Sequence, residues 1–322
     1  MSKWLALASA GVLAFGVAAC GDDSSDSSAS GGSGGGDLSG AVKIDGSSTV
    51  GPFAQTAAEQ FQGENSNVQI SVGTSGTGGG FEKFCAGETD ISDASRPIKD
   101  DEEVPICKKN GVTYQEIQVA NDGIAIVTNK ALAIDCLTVA QLKQLWNTGS
   151  KITNYSQLDP KLPDVDVSLY GPGTDSGTFD FFTDEINGEE GVSRKEYQPS
   201  EDDNILVQGV TGDEGGLGYF GFSYYEQNQD KLNLVAVDGG DGCVKPSVET
   251  IQDGSYKPLS RPIFMYPSEQ SLGSKPQVKG FMEYTIDNAD EIATASQIVP
   301  LTAAQTDKAK QQLKEAEAKA GN

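Results

Sequence analysis

Three short runs of hydroxyl residues and glycine constrain this chain most: Gly46-Ser47-Ser48-Thr49, Ser75-Gly76-Thr77-Gly78-Gly79-Gly80 and Asp175-Ser176-Gly177-Thr178. Each closes a strand-like alternation: Val42 and Ile44, then Val68, Ile70 and Val72, then Val165, Val167 and Leu169. Helix-like spacing follows the first and third, as Phe53, Ala57, Phe61 and as Phe179, Phe182, Ile186. A strand, a glycine-hydroxyl turn and a helix start make a local anion site. The first-turn N–H groups lack partners there and the helix dipole favours negative charge. Three such turns in one chain predict convergence on a shared tetrahedral oxyanion. The alternation of strand and helix signals predicts α/β layers rather than an all-β sandwich.

Charge narrows the functions. The 322 residues carry 23 basic and 47 acidic side chains, a formal net charge of −24, and no histidine. A nucleic-acid partner is excluded by the lack of a basic face. The missing histidine removes His-based triads and most catalytic zinc sites. So acidic a chain does not attract anions through its overall field. An anion has to be held at short range, by amides, hydroxyls and an arginine.

The N-terminus reads as a targeting segment. Lys3 precedes sixteen apolar or small residues from Trp4 to Ala19, short of the roughly 20 that span a bilayer, so residues 1–19 are expected to be a signal peptide. Val17-Ala18-Ala19-Cys20 resembles a bacterial lipobox, which implies cleavage before Cys20 and a diacylglycerol anchor on its sulfur. Gly, Ser, Asp and Ala alone make up Gly21 to Asp37. With nothing to bury, residues 20–40 read as a flexible tether with a span of about 20–25 Å. Four further cysteines, Cys85, Cys107, Cys136 and Cys243, lack CxxC spacing and read as two disulfides with three possible pairings. Cys85–Cys107, which closes a short local loop, leaves Cys136–Cys243, and this pairing is the expected one.

Along the chain, Phe81, Phe84 and Cys85 mark a short helix, and Asp90 to Pro97 reads as a strand ending in a polar turn. Ile117 with Val119, and Ile124 to Val127, read as buried strands. Thr138-Val-Ala-Gln141 has capping-box spacing ahead of Leu142, Leu145 and Trp146. Leu232, Leu234 and Ala236 alternate as a strand, Ile263 and Met265 sit in another, and Thr302 to Ala320 reads as a surface helix. No Gly- or Pro-rich tract divides residues 41–322. Two lobes would therefore be joined by short strand crossings, expected near Val127–Asn129 and Val235–Asp238. Lobe 1 is then 41–127 plus 239–322, and lobe 2 is 128–238.

Taken in order, the lipobox, the tether, Asp45-Gly-Ser-Ser-Thr-Val50, Thr74-Ser-Gly-Thr-Gly-Gly-Gly-Phe81, Asp90-Ile-Ser-Asp-Ala-Ser-Arg-Pro97 and Tyr170-Gly-Pro-Gly-Thr-Asp-Ser-Gly-Thr-Phe179 resemble one family. It is the PstS family, the phosphate-binding lipoproteins of bacterial high-affinity phosphate ABC importers. The resemblance runs from about residue 41 to 300. It implies a two-lobed, type II periplasmic-binding-protein fold with phosphate between the lobes, no enzymatic activity, no cofactor and no metal. It also implies permease subunits as partners, a monomer, and a place on the outer side of the cell membrane. It puts phosphate contacts on Thr49 and the backbone of Val50, on Ser75 with the neighbouring Gly76 and Thr77, and on Ser176, Gly177 and Thr178. Two positions depart from the family. Its arginine four residues before the Ser-Gly-Thr is Pro172 here, and aligned on the proline Ser95 replaces an aspartate beside a new Arg96. Arg96 is expected to supply the missing cation. Asp93 or Asp175, with Asp45 a weaker option, is expected to accept the phosphate proton, a contact that fully ionised sulfate lacks. A sulfate or molybdate receptor keeps the same fold. A phosphatase using Ser75 or Ser176 lacks a histidine, a nucleophile elbow and a metal cluster.

Overall fold

The computed structural model describes residues 38–321. The signal-like run, Cys20 and the Gly/Ser/Asp tether lie outside them.

The chain opens with β1 (Gly40–Gly46), α1 (Gly51–Glu64), β2 (Val68–Gly73), α2 (Gly76–Cys85), β3 (Ile91–Ala94) and α3 (Val104–Asn110). The long β4 (Ile117–Asn129) leads to β5 (Cys136–Thr138), α4 (Val139–Trp146), β6 (Ser168–Gly171) and α5 (Gly177–Phe182). Next come β7 (Gln198–Pro199), α6 (Asp203–Gly212), β8 (Gly216–Gly221), α7 (Phe222–Asn228), β9 (Leu232–Asp238), β10 (Cys243–Val244) and α8 (Val248–Gln252). After β11 (Ser260–Pro267) the chain ends in α9 (Glu269–Ser274), α10 (Pro276–Asp287), α11 (Ala289–Ala295) and α12 (Ala303–Ala320). The sheet runs β2-β1-β3-β11-β4-β8-β6-β7, and β9 adds to β4, β5 and β10. Pairing is parallel within β2-β1-β3 and within β8-β6-β7, and antiparallel where β11 and β4 join those groups.

This is a mixed α/β molecule with two large cores on one curled sheet and a smaller third around Phe81, Phe84, Ala94 and Tyr266. One core gathers Val42, Phe53, Ile91, Val119, Met265 and Phe281. The other gathers Ile124, Ile126, Leu142, Trp146, Tyr219 and Val235. β4 belongs to both. Ile117 to Gly123 pair with β11, and Ile124 onward pairs with β8 and β9. The two strands expected around Ile117 and Ile124 are thus one, and the crossing into the second lobe lies at Asn121–Ile124, ahead of Val127. The return crossing is also displaced from Val235–Asp238. Ile251, Tyr256 and Leu259 pack in the second core, and the Tyr256 hydroxyl donates to the Ile124 carbonyl at 2.9 Å. Residues 239–259 therefore go with the second lobe, and the chain re-enters the first at Ser260 and Arg261.

Local chemistry accounts for most elements. Thr138 caps α4 reciprocally with Gln141, and Thr302 caps α12 with Gln305 in the same way. Helix α12 is not a purely surface helix, because Ala309, Leu313 and Ala316 form a buried stripe and Lys279 of α10 pairs with Glu317 at 3.1 Å. The disulfides are Cys85–Cys107 and Cys136–Cys243, 22 and 107 residues apart. Chain entropy assigns these loops roughly 3 and roughly 5 kcal/mol. Replacing Cys136 and Cys243 together by serine is expected to destabilise the protein more than the same change at Cys85 and Cys107. Denaturant unfolding checks this, and equal losses would contradict the loop-length account.

Candidate functional site

Between the two cores lies a cleft of about 650 Å³. The first lobe contributes Ser47, Ser48 and Thr49 ahead of α1, Ser75 to Gly79 at the start of α2, and Ser95 to Pro97 after β3. The second lobe contributes Gly177, Asp180, Phe181, Asp184, Glu185 and Glu190, and the hinge strand contributes Ser260, Arg261 and Pro262. All three glycine-hydroxyl runs therefore reach one place.

The first lobe's wall is fixed by a hydrogen-bonded network around Asp45. Ser75 donates both its amide (3.2 Å) and its hydroxyl to Asp45 Oδ1, and Lys83 Nζ pairs with Asp45 Oδ2 at 2.6 Å. Burial pushes the Asp45 carboxyl up, but the bonds from Lys83 and Ser75 outweigh it and hold the pKa below the usual range. Asp45 is thereby committed as an anchor for α2. Thr77 and Ser95 hydroxyls meet at 3.0 Å, and the Ser95 amide donates to Thr77 at 3.3 Å. Gly46 is forced by packing, since a Cβ there would stand 1.9 Å from the Asp93 carbonyl oxygen.

Asp93 lies behind Gly46. It is fully buried, and neither carboxylate oxygen has a hydrogen-bond partner among the described residues. Burial, then the neighbouring Asp45 charge, pushes its pKa well above the usual carboxylate range, and the nearby Ser47 and Asp93 amides offset only part of this. Asp175, the other expected proton acceptor, is exposed on the rim, where its amide donates to Glu201 at 3.4 Å. An exposed carboxylate at a turn does not meet the requirement for a buried acceptor.

In the second lobe, Ser176 caps α5 by accepting from the Thr178 amide at 3.2 Å. Gly177 lines the cleft, while Ser176 and Thr178 flank it, half-buried. A Cβ on Gly177 would lie 2.3 Å from Thr49 Oγ1, so the lobes meet there with no room for a side chain. Val50 is buried in the first core, leaving only its backbone for the cleft.

The cations depart from the sequence expectation. Arg96 lines the cleft, but Nη1 and Nη2 grip Glu103 at 2.9 and 2.7 Å, and this pairing holds its pKa up. Its charge is thus engaged within its own lobe. The cation that bridges the lobes is Arg261. Nε pairs with Asp122 at 3.2 Å, Nη2 donates to Thr49 Oγ1 at 2.8 Å, and the guanidinium carbon sits 3.7 Å from the centre of the Phe181 ring. Sequence reading missed Arg261 and the acidic wall of Asp180, Asp184, Glu185 and Glu190. Burial and then Glu190 push Asp180 up to about 6, with Arg261 pulling it back. Pro172 marked the loss of the family's arginine, and only two other arginines, Arg194 and Arg261, were left as replacements. No group of His, Cys, Asp or Glu among the described residues is arranged to hold a metal ion.

A PBP superfamily domain model matches residues 28–289. Protein SphX of Synechococcus elongatus is 46% identical over 265 residues, 81% of this chain and 78% of that protein. The phosphate-binding protein PstS of Staphylococcus saprophyticus is 42% identical over 264 residues, 81% of each chain. The crystal structure of a possible phosphate binding protein from Planctomyces limnophilus superposes with a TM-score of 0.82 at 41% identity, covering 87% of this chain and 99% of that one. Fold and cleft define a two-lobed solute-binding protein of the PBP superfamily. Within that class, the chain belongs to the PstS family of substrate-binding proteins. The family's members are receptors rather than enzymes, which ends the phosphatase reading of Ser75 and Ser176.

Overpacking a close contact costs about 1–3 kcal/mol, which Gly177→Ala can relieve only by moving α5 away from Thr49. Small-angle scattering is expected to report a larger radius of gyration for Gly177→Ala than for the parent. Identical radii would show that this contact does not limit the approach of the lobes.

Proposed function

We propose that this chain is an extracytoplasmic receptor that captures inorganic phosphate between its lobes and delivers it to the permease subunits of an ABC importer. The observation that carries this reading is Asp93, a buried carboxyl that does not itself line the cleft but packs against Gly46, next to the lining Ser47, with both oxygens unpartnered among the described residues. The raised pKa of Asp93 lets one proton be shared between it and the anion, and in its ionised form Asp93 only accepts hydrogen bonds and so suits an oxyanion that still carries a proton. Phosphate near neutral pH does; sulfate and molybdate would set a bare anionic oxygen against Asp93. Donors come from Thr49 and the Val50 amide, from Gly76, Thr77 and Ser95, and from Ser176, Gly177 and Thr178, while Ser75, with its amide and hydroxyl both given to Asp45, fixes the start of α2. The names of the relatives, which include phosphate-binding proteins, support the same ligand. Cys20 is the lipid attachment point, and the tether lets a monomeric receptor stand off the outer face of the cell membrane.

Calorimetry with phosphate and sulfate tests the ligand. The protein is expected to bind phosphate and to prefer it over sulfate, and Asp93→Asn should reduce that preference at least roughly tenfold, about 1.4 kcal/mol. An asparagine both donates and accepts, so it tolerates either anion. No heat with phosphate, or equal affinity for sulfate, would overturn the reading.

The same residue sets a pH dependence. Its pKa is raised in the folded state, so between the unfolded value of about 3.9 and the raised folded value the native protein holds more protons, and stability falls as pH rises. Thermal melts without phosphate are expected to show a shallower fall from pH 4 upward in Asp93→Asn than in the parent. Parallel profiles would place the Asp93 proton elsewhere. For the anchor, Cys20→Ser should leave the precursor uncleaved or release the protein from membranes. A processed, membrane-bound variant would rule the lipid out.

A further inference from the structure

The chain has only three arginines, and two are committed to the protein itself. Arg194 is buried and donates to the carbonyls of Leu145 and Ile152 at 3.0 and 3.1 Å. Arg96 is held at both Nη atoms by Glu103. Of the lysines around the cleft, Lys83 is anchored to Asp45, and Lys99 pairs with Glu102 at 2.9 Å with its side chain 44% exposed. Arg261 is different. Its side chain is only 15% exposed, it faces the cleft, and its bonds to Asp122 and Thr49 use two of the five N–H donors of a guanidinium.

The geometry points to Arg261 as the cationic contact of the bound anion, carried on the hinge strand and aimed by Asp122, in place of the arginine whose family position is Pro172. This assignment rests on the phosphate reading above. Ser260 and Arg261 pair with Gly123 and Asp122 where β11 and β4 pass between the lobes. A guanidinium fixed there touches Thr49 on one lobe and Phe181 on the other, so its remaining donors meet a ligand only where both lobes do. Asp122 holds Nε and sets the plane of the fork, which makes it a positioning residue. The carboxylates of Asp180, Asp184, Glu185 and Glu190 share the cleft. Removing Arg261 therefore leaves an anion facing an acidic wall, and the loss should exceed that of one neutral hydrogen bond. Arginine reads charge and Asp93 reads the proton, so the two residues separate experimentally. Loss of Arg261 lowers phosphate and sulfate affinity together, while loss of Asp93 changes their ratio.

Calorimetry of the mature chain with inorganic phosphate and with sulfate, on Arg261→Met, Arg261→Lys, Arg96→Met, Asp122→Asn and the Arg261→Met/Asp122→Asn pair, tests this. Arg261→Met is expected to lose at least about a hundredfold in phosphate affinity with the phosphate preference retained, and Arg261→Lys to recover part of the loss. Asp122→Asn is expected to lose about tenfold alone and nothing further in the Arg261→Met background, the signature of action through the arginine. If Arg261→Met does not fold, Arg261→Gln must show the same loss. Phosphate affinity within about threefold of the parent in the Arg261 variants, a larger loss in Arg96→Met, or additive effects of Asp122 and Arg261 would overturn the assignment while leaving the phosphate reading intact. A parent protein that binds no phosphate overturns both.

Discussion

A single strand belongs to two hydrophobic cores. β4 supplies Ile117 and Val119 to one and Ile124 to Val127 to the other, with Asn121, Asp122 and Gly123 between them. A strand is stiff along its length but twists and bends at a polar, glycine-containing step, so the two lobes are joined by something narrow and directional. β11 runs back across the same step, and the two strands together set where the cleft opens. A Cβ on Gly123 would stand 2.5 Å from Cδ1 of Ile251 in α8, so a side chain there would have to displace Ile251. The relative placement of every cleft residue depends on this pair of strands.

The electrostatics follow from the composition. A chain of formal net charge −24 has no long-range attraction for an anion. It compensates with groups fixed in place around the cleft: Asp45 fixes Ser75 at the start of α2, Ser176 caps its own helix, and Asp122 holds Arg261. Among these sits one carboxyl, Asp93, kept from ionising freely by burial and by Asp45. An unpartnered buried acid lowers the stability of the fold, which is the usual sign of a residue kept for binding rather than for packing.

What the sequence made legible was local. The three glycine-hydroxyl turns, the Thr138–Gln141 capping box and the short disulfide loop each depend on residues close together in the chain, and each formed as read. The failures were long-range. Asn121-Asp122-Gly123 looks like a turn between two strands, yet Asn121 bridges to Val299 and Asp122 pairs opposite Arg261, which keep the strand running. Arg96 looked like a free cation, but Glu103, seven residues on, takes both ends of its fork. Arg261 reaches Thr49 across 212 residues, and nothing around Ser260-Arg261-Pro262 announces it. The stripe Ala309, Leu313, Ala316 was hidden because two of its three members are alanines in a polar helix.

The central claim is that a proton-bearing anion is held between the first lobe's hydroxyls, the hinge arginine and Asp93. A crystal structure of the protein grown with phosphate tests it most directly. The account predicts an anion within hydrogen-bond distance of Thr49, the Gly76–Thr77 start of α2 and Arg261, with one oxygen set against Asp93 and the Arg261–Asp122 pair intact. An anion bound through Arg96 or Lys99, or one that leaves Asp93 and Arg261 untouched, would contradict it.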